Sequence, residues 1–255
     1  MSAGTSSKAI SILVHGAGRM GSSVMSVAGD AADVTIRGTV DLRPRAAGGA
    51  DNVAYFDHIP AADDAVEVVI DFSNAGSMAL LIQALAGTGV KLVSGTTGLR
   101  REDRDALSVY AEVAAVFYDE NMSYGISLLK HLLREIGSRR NRFEDVEIVE
   151  IHHRGKRDYP SGTALALSRV LSPELPAISG RSSNGPGVHV HSVRLGSVPG
   201  EHHVHFSSDD EMLTLSHRAL TRDVFARGAI DAARFLSTKT RGLYSMDDLV
   251  TENRD

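Results

Sequence analysis

Cysteine is absent from the 255-residue chain, so disulfide bonds, thiolate metal sites and thiol nucleophiles are excluded. Long apolar runs are missing too, and no stretch approaches the roughly 20 residues that a membrane-spanning helix needs. Positive charge is not in excess, because 32 acidic residues outnumber 27 basic ones and leave a net charge of −5. Nucleic-acid binding is therefore not expected, and a cationic site must be local, which suits a small anionic ligand.

The composition that is present is that of an ordinary globular protein, with 42% hydrophobic and 23% charged residues. This balance argues against long disorder and provides for one large core or two modest ones. Residues Met1–Lys8 are small and polar and lack the apolar segment of a signal peptide, so we expect a frayed tail. The expected location is the cytoplasm.

A dinucleotide-binding signature opens the chain. The apolar run 9–14 predicts a strand buried on both faces, and it leads directly into Gly16, Gly18 and Gly21, which satisfy G-x-G-x-x-G before a predicted helix. These glycines permit a tight turn, close approach of the backbone to a pyrophosphate, and close packing of helix on strand. The alternative is a glycine-rich turn without a ligand.

The choice of cofactor depends on charges after the second predicted strand, 34–40. Asp41 follows that strand, 20 residues after Gly21, where a carboxylate would accept hydrogen bonds from the adenosine ribose. Asp41 would repel a 2′-phosphate, whereas Arg43 and Arg45 would attract one. The sequence therefore predicts NADH or NADPH and leaves the preference open.

Strand–helix alternation continues to about residue 122 and predicts a parallel, doubly wound Rossmann-like sheet. Polar segments follow three of its strands, where open α/β sheets bind ligands. They are Asp71–Ser73, Gly95–Gly98 and Asp119–Ser123.

After residue 122 the regular alternation of strands and helices ends, which predicts a second α+β domain. An amphipathic helix over 126–136 places one stripe against a core; the stripe is Ile126, Leu129, Leu132, Leu133 and Ile136. Strand-like segments at 188–195, 202–207 and 212–216 indicate a mixed or antiparallel sheet. We expect residues 1–122 and 221–255 to form the dinucleotide-binding domain, and residues 123–220 to bind substrate and associate with other subunits.

The central segment 152–163 joins a strand, a cationic loop and a helix start. Ser161 is a candidate N-cap, and the N–H groups of Gly162 and Thr163 at the positive end of the helix dipole would attract a carboxylate or phosphate. Lys156 and one histidine could supply charge and a proton. The alternative is a basic loop that caps an ordinary helix.

The other histidines predict no metal site. Pairs at 189 and 191 and at 203 and 205 alternate along strands, but no clustered carboxylate completes a ligand set, so we interpret them as polar sheet-face residues. His217 is expected to hydrogen-bond at the sheet or domain interface. The side chain of His15 looks incidental.

The chain resembles the 4-hydroxy-tetrahydrodipicolinate (dihydrodipicolinate) reductase family of the diaminopimelate route to lysine. The most specific match is Glu150–Leu165, which reads EIHHRGKRDYPSGTAL; others include GRMG at 18–21, VIDFS at 69–73, GTTG at 95–98 and GLYSMDD at 242–248. The resemblance covers nearly the whole chain in the family's order.

The resemblance implies hydride transfer from NADH or NADPH to a cyclic dicarboxylate after loss of its 4-hydroxyl. It makes His152 the catalytic histidine, Lys156 the acid that protonates the substrate, and His153, Gly162 and Thr163 the substrate-holding residues. It also implies a homotetramer assembled through the sheets of the second domain. The implied cofactor-binding residues are His15, Gly16, Ala17, Gly18, Arg19, Met20, Asp41, Gly95, Thr96, Thr97, Asp119, Glu120, Asn121 and Met122.

Departures from the family pattern keep an alternative open. His15 stands where a glycine is usual, Tyr159 stands where alanine is usual, and the segment 172–187 is shorter than in many relatives. His15 bears on the affinity or preference for the cofactor, whereas Tyr159 and the shorter segment leave open a related reductase acting on another imine or keto dicarboxylate. An idle nucleotide-sensing or scaffold protein would instead have a damaged catalytic block, and His152 and Lys156 are both present.

Overall fold

The computed structural model describes residues 9–40, 55–56, 66–138, 142–172, 178–179 and 187–252. Contacts between Cα atoms divide the chain into two compact units, Met1–Met122 with Phe225–Asp255 and Ser123–Val224. Several sequence expectations fall outside the described residues: the tail at Met1–Lys8, the ribose-binding Asp41 with Arg43 and Arg45, and most of the segment 172–187.

The elements alternate strand and helix through the first half of the chain and then become richer in strands. The strands are β1 (Ile10–His15), β2 (Val34–Val40), β3 (Tyr55–Phe56), β4 (Val68–Asp71), β5 (Lys91–Ser94), β6 (Ala115–Tyr118), β7 (Asp145–His152), β8 (Ile178–Ser179), β9 (His189–Arg194), β10 (Gly200–Ser207), β11 (Met212–Ala219) and β12 (Gly242–Tyr244). The α-helices are α1 (Arg19–Gly29), α2 (Met78–Leu85), α3 (Arg101–Ala111), α4 (Tyr124–Gly137), α5 (Gly162–Leu171), α6 (Asp223–Ser237) and α7 (Met246–Glu252).

The first unit contains the predicted parallel sheet. Its strands are ordered β12-β6-β5-β4-β1-β2-β3, and every neighbouring pair is parallel. Alternation along β1 sends Ile12 and Val14 to the core cluster under α1, α6 and α7, and Leu13 to the cluster under α2 and α3. Helices therefore cover both faces, and the doubly wound prediction is confirmed.

The second unit is a five-stranded sheet ordered β11-β10-β7-β9-β8. The β11–β10 and β10–β7 pairs are antiparallel, whereas β7–β9 and β8–β9 are parallel, so the sheet is mixed. Its core packs Ile148, Val204 and Phe206 against apolar residues of α4 and α5.

The predicted apolar stripe of α4 is correct except at one position. Ile126, Leu129 and Leu133 are buried, and Ile136 packs against the core cluster, but Leu132 is 44% exposed. Leu132 lies one residue before the fully buried Leu133, and a step of about 100° per residue carries it beyond the edge of the buried face. Within the described ranges, every helix is too short or too polar to cross a bilayer.

Candidate active site

A buried carboxylate organises the carboxyl edge of the parallel sheet. Asp71 ends β4 with no exposed surface, and its Oδ1 lies 2.8 Å from His15 Nδ1 and 2.6 Å from the Ser73 hydroxyl. Its Oδ2 accepts hydrogen bonds from the hydroxyls of Ser94 and Thr96, each at 2.8 Å. Burial alone would raise the pKa of Asp71, but the hydrogen bond from His15 and the hydroxyl donors outweigh it and lower the pKa.

His15 is not incidental. It ends β1 opposite Asp71 in the parallel register, and its ring is 1% exposed. Because an ionised carboxylate only accepts hydrogen bonds, the His15 Nδ1 must carry the proton that it shares with Asp71. The expectation of an incidental side chain was wrong because β1 and β4 are separated in the sequence by more than 50 residues and meet only in the folded sheet.

The glycine motif lies between β1 and the start of α1, and its glycines differ in the space around them. A Cβ added to Gly16, whose φ is +93°, would lie 2.9 Å from the Phe72 carbonyl oxygen, and one added to Gly21 would lie 1.9 Å from the Gly16 oxygen. A Cβ on Gly18 would meet nothing within 4 Å. Gly16 and Gly21 therefore lie where the tight loop leaves no room for a side chain, while Gly18 leaves open space before the first turn of α1.

The other predicted cofactor residues differ in exposure. At the end of β5, Gly95 and Thr96 are buried and Thr97 is exposed. At the end of β6, the N–H of Asn121 donates to Asp119 Oδ1 at 3.0 Å and forms a tight turn. Met122 is 1% exposed and packs in the core of the first unit, so only its backbone is available to a ligand. Of four others, Arg19 and Glu120 are exposed, and Met20 and Ala17 are partly exposed.

In the second unit, β7 places Glu150 and His152 on one face because they are two residues apart. Both are buried, and the His152 Nδ1 is hydrogen-bonded to the Glu150 Oε2. The Glu150 Oε1 accepts from the Arg194 guanidinium at 2.7 Å and from the Ser161 backbone N–H at 3.3 Å. Burial alone would raise the pKa of Glu150, but the hydrogen bonds from His152 and Arg194 lower it to about 2.

Two more histidines continue this face of the sheet, and of these His202 is buried and His217 is partly buried. The ring centroid of His202 lies 5.2 Å from that of His152, edge-on at 77°, and His202 pairs with His217 across the β10–β11 register. Each imidazole meets a helix N-cap: His202 Nε2 lies 3.4 Å from the Ser161 hydroxyl, and His217 Nε2 lies 3.1 Å from the Ser123 hydroxyl. Burial lowers the pKa of both, with the nearby charge of His152 helping to take that of His202 to about 3. The predicted hydrogen bond of His217 is confirmed.

The cationic loop after β7 carries the predicted proton donor. Lys156 Nζ lies 2.8 Å from Asp158 Oδ2, and Lys156 is largely shielded from solvent. Burial would raise the pKa of Asp158, but the hydrogen bond from Lys156 outweighs it and lowers the pKa. The Tyr159 ring is 58% exposed and lies 4.3 Å from the Arg194 guanidinium, so it stacks on the cation that holds Glu150.

The loop leads into α5, which begins at Gly162 as the sequence predicts. The Ser161 hydroxyl caps the helix by accepting from the Ala164 N–H at 3.1 Å. Gly162 and Thr163 occupy the first two helical positions, at the positive end of the helix dipole. His153 lies on the same loop. A Cβ added to Gly155 would lie 3.4 Å from the His153 Nδ1.

The carboxylate Glu150 with His152 and His202 places ligand atoms close enough for a metal ion. The Arg194 guanidinium already binds Glu150, and its positive charge opposes a cation at the same carboxylate. We therefore interpret the three residues as a hydrogen-bond network. On the opposite face, His191 is hydrogen-bonded to Glu147, and the rings of His203 and His205 stack 6.1 Å apart.

Sequence reasoning found His152, Lys156 and the start of α5, but it gave no role to Glu150, Arg194 or His202. The alternation of Glu150 and His152 within one strand was a readable signal that both face the same way. No such signal exists for Arg194 and His202, because their approach depends on the order of β9, β7 and β10 in the sheet.

Comparison with known proteins gives matches over both units. The family model "Dihydrodipicolinate reductase, N-terminus" matches residues 10–122, and "Dihydrodipicolinate reductase, C-terminus" matches residues 125–250. A 4-hydroxy-tetrahydrodipicolinate reductase of Anaeromyxobacter sp. (strain Fw109-5) is 38% identical over 94% of this chain and 97% of that relative. One from Methanoregula boonei is 35% identical over 94% of this chain and 96% of that relative.

Solved structures share the fold. Dipicolinate-bound dihydrodipicolinate reductase from Paenisporosarcina sp. TG-14 superposes with a TM-score of 0.73 at 20% identity, covering 94% of this chain and 99% of that one. The diaminopimelate dehydrogenase of C. glutamicum superposes with a TM-score of 0.57 at 13% identity, covering 96% of each chain.

Proposed function

This chain belongs to the dihydrodipicolinate reductase family, and from that premise we propose that it reduces 4-hydroxy-tetrahydrodipicolinate to tetrahydrodipicolinate in the diaminopimelate route to lysine. The substrate loses its 4-hydroxyl as water and gains one hydride and one proton. The observation that carries the proposal is the position of His152. This residue is buried at the end of β7, is hydrogen-bonded to Glu150, and lies directly before the cationic loop that leads into α5. The two relatives named 4-hydroxy-tetrahydrodipicolinate reductase support this choice of substrate.

The substrate is a dianion, and the second unit offers groups suited to it. The first backbone N–H groups of α5, at Gly162 and Thr163, lie at the positive end of the helix dipole and suit a carboxylate. Lys156 and His153, on the loop before the helix, add donors. These four residues form the proposed substrate site, with His152 beside them on the strand.

The proton is assigned to Lys156. An ammonium is a competent acid, and Lys156 Nζ lies 2.8 Å from Asp158 Oδ2, an ion pair that a dianionic substrate would compete with. In the proposed step, the proton moves from Lys156 Nζ to the ring as the hydride arrives. His152 is the second catalytic residue.

A nicotinamide cofactor, NADH or NADPH, would supply the hydride when bound to the first unit. The open space at Gly18 and the tight loop at Gly16 and Gly21 fit its pyrophosphate. The proposed contacts also include the carboxyl ends of β5 and β6. His15 and Thr96 contribute indirectly, since their side chains are engaged by Asp71. Asp41, outside the described residues, is the proposed ribose partner.

We assign residues 1–122 and 221–255 to cofactor binding, and 123–220 to substrate binding and subunit association in the cytoplasm. A homotetramer is proposed through the β7 sheet face opposite α4 and α5. That face carries the partly exposed Val149 and Ile151, together with Val193, which is 36% exposed. Light scattering of the purified protein tests the assembly, with a mass of four chains expected and a monomer contradicting it.

A second candidate keeps the hydride chemistry but reduces another imine or keto dicarboxylate. Tyr159 favours it, because a large ring stands beside the loop that holds Lys156. Product identification separates the two candidates: with substrate generated in place by dihydrodipicolinate synthase, mass spectrometry should show tetrahydrodipicolinate. Faster cofactor oxidation with another dicarboxylate than with this substrate would favour the second candidate.

A further inference from the structure

We propose that Glu150 is a positioning residue that fixes the tautomer of the catalytic His152, so that its Nδ1 carries a proton and its Nε2 is the nitrogen left for chemistry. The inference rests on the proposed function only in assigning catalysis to His152. It adds a residue to which the reaction has so far given no part.

The Glu150 carboxylate is surrounded by donors from three elements. His152 of β7 binds one oxygen, while Arg194 of β9 and the backbone N–H of Ser161 bind the other. Arg194 and a backbone N–H can only donate, and an ionised carboxylate can only accept. Glu150 is therefore the acceptor toward Arg194 and the Ser161 N–H. The same carboxylate also accepts from His152, so the Nδ1 of His152 must be the protonated nitrogen.

The other nitrogen of His152 has room. A Cβ at Gly200 would lie 3.1 Å from His152 Nε2, so a glycine at this position leaves space next to that atom. His202 packs its ring edge-on against the imidazole, with the two ring centroids 5.2 Å apart. The ring is thus held from two sides, with Nδ1 directed at Glu150 and Nε2 away from it.

Replacing Glu150 with glutamine makes a specific prediction about the proton. The amide has one oxygen, and Arg194 with the Ser161 N–H require an acceptor at the Oε1 position. The amide NH₂ then faces His152 and needs an acceptor there, so Nδ1 must give up its proton and the tautomer inverts. The same exchange beside the serine-protease histidine leaves the geometry intact and lowers kcat about 10⁴-fold.

A purely structural role for Glu150 is the competing explanation, because a buried ion pair with Arg194 also stabilises the fold. Such a role would lower the melting temperature of Glu150→Gln without inverting the tautomer of His152. Glu147→Gln is the matched control. Glu147 lies on the same strand and is hydrogen-bonded to His191, but three residues of separation place it on the opposite face, away from His152.

The test is ¹⁵N NMR of histidine-labelled protein, with the His152 signals assigned by their loss in His152→Asn. The proposal expects a protonated Nδ1 in the unmodified protein and in Glu147→Gln, and a bare Nδ1 in Glu150→Gln. In steady-state assays kcat of Glu150→Gln should fall by about 10²-fold or more, with KM within threefold, because the substrate-holding groups are intact. Glu150→Asp, which keeps the charge, should recover part of the turnover.

A protonated Nδ1 in folded Glu150→Gln, or a kcat within threefold of the unmodified enzyme, would overturn the proposal. If Glu150→Gln does not fold, the unmodified protein still decides, since a bare His152 Nδ1 there contradicts the inference. The tautomer readout needs no turnover. An enzyme that proved inactive on 4-hydroxy-tetrahydrodipicolinate would remove the proposed function and leave the tautomer assignment to be judged by itself.

Discussion

The imidazole of His15 and the carboxylate of Asp71 lie directly opposite each other at the ends of β1 and β4, with Nδ1 and Oδ1 2.8 Å apart. Asp71 also binds hydroxyls that follow β4 and β5, so one carboxylate ties together the loops of three adjacent strands. These loops are the ones proposed to contact the dinucleotide. His15, which departs from the family pattern expected from the sequence, is thus held by a hydrogen bond to Asp71.

Asp71→Asn should weaken NADH and NADPH binding by about tenfold, because an amide cannot accept from every donor around it and an unsatisfied buried group costs about 1–3 kcal/mol. Titration of cofactor fluorescence measures the change. Asp103→Asn is the control, since Asp103 is also a buried carboxylate but caps α3. Unchanged cofactor affinity in folded Asp71→Asn would show that this carboxylate does not shape the cofactor site.

Gly18→Ala and Gly21→Ala should separate folding from cofactor binding. A Cβ on Gly18 enters open space, so Gly18→Ala should melt within a few degrees of the unmodified protein yet lose at least tenfold in cofactor affinity. A Cβ on Gly21 would overlap the Gly16 oxygen, so Gly21→Ala should lower the melting temperature strongly. Calorimetry and fluorescence titration check both. Full cofactor affinity in Gly18→Ala would place the pyrophosphate elsewhere.

Lys156→Ala should reduce turnover by about two to four decades, the usual contribution of a general acid. Removing the cation should also raise KM, since the ammonium is proposed to attract the dianion before it protonates the ring. Lys130→Ala, on α4, controls for loss of a positive charge in the same unit. Turnover near normal in Lys156→Ala would remove this residue from the mechanism.

Acid should destabilise the second unit through His202. Its pKa is about 3 in the folded chain against 6.5 ordinarily, because burial and the charge of His152 disfavour protonation. At a pH between these two pKa values, His202 binds a proton in the unfolded chain but not in the folded chain. The free energy of unfolding therefore falls as the pH drops below 6.5. Glu150, with a pKa of about 2, adds a loss in the same direction only below about pH 4.5.

The His202→Gln variant should remove the upper part of this dependence. Its free energy of unfolding should fall less steeply between pH 6 and 5, by up to about 1.4 kcal/mol per pH unit. Melting curves at several pH values, with His205→Gln as the control on the exposed side of β10, measure the slope. An identical slope in His202→Gln and the unmodified protein would mean that His202 is protonated in the folded state.

Local patterns in the sequence were sufficient for much of this fold. The apolar run before Gly16 predicted β1, and Ser161 followed by good helix formers predicted the start of α5, because both signals lie within a few residues. The family resemblance then singled out His152 and Lys156. Exposure of Leu132 was missed because a stripe drawn from apolar residues alone overestimates the width of the buried face.

Non-local partners were the part that sequence patterns did not predict. Asp71 is hydrogen-bonded to His15, more than 50 residues away in the sequence, and Glu150 accepts a hydrogen bond from Arg194, 44 residues away. These pairs depend on which strands are neighbours in the sheet. Residue spacing within one strand does not reveal the order of the strands. The parallel pairing of β7 with β9, which brings Arg194 to Glu150, is likewise a property of the sheet order.

The central claim is tested most directly by following nicotinamide absorbance while dihydrodipicolinate synthase generates the unstable substrate in place, with NADH and NADPH in parallel. The account predicts rapid oxidation of at least one cofactor, lost in His152→Ala and in Lys156→Ala. The ratio of the two rates then gives the cofactor preference. No oxidation by a folded protein that binds cofactor would contradict the account and shift the activity to another dicarboxylate.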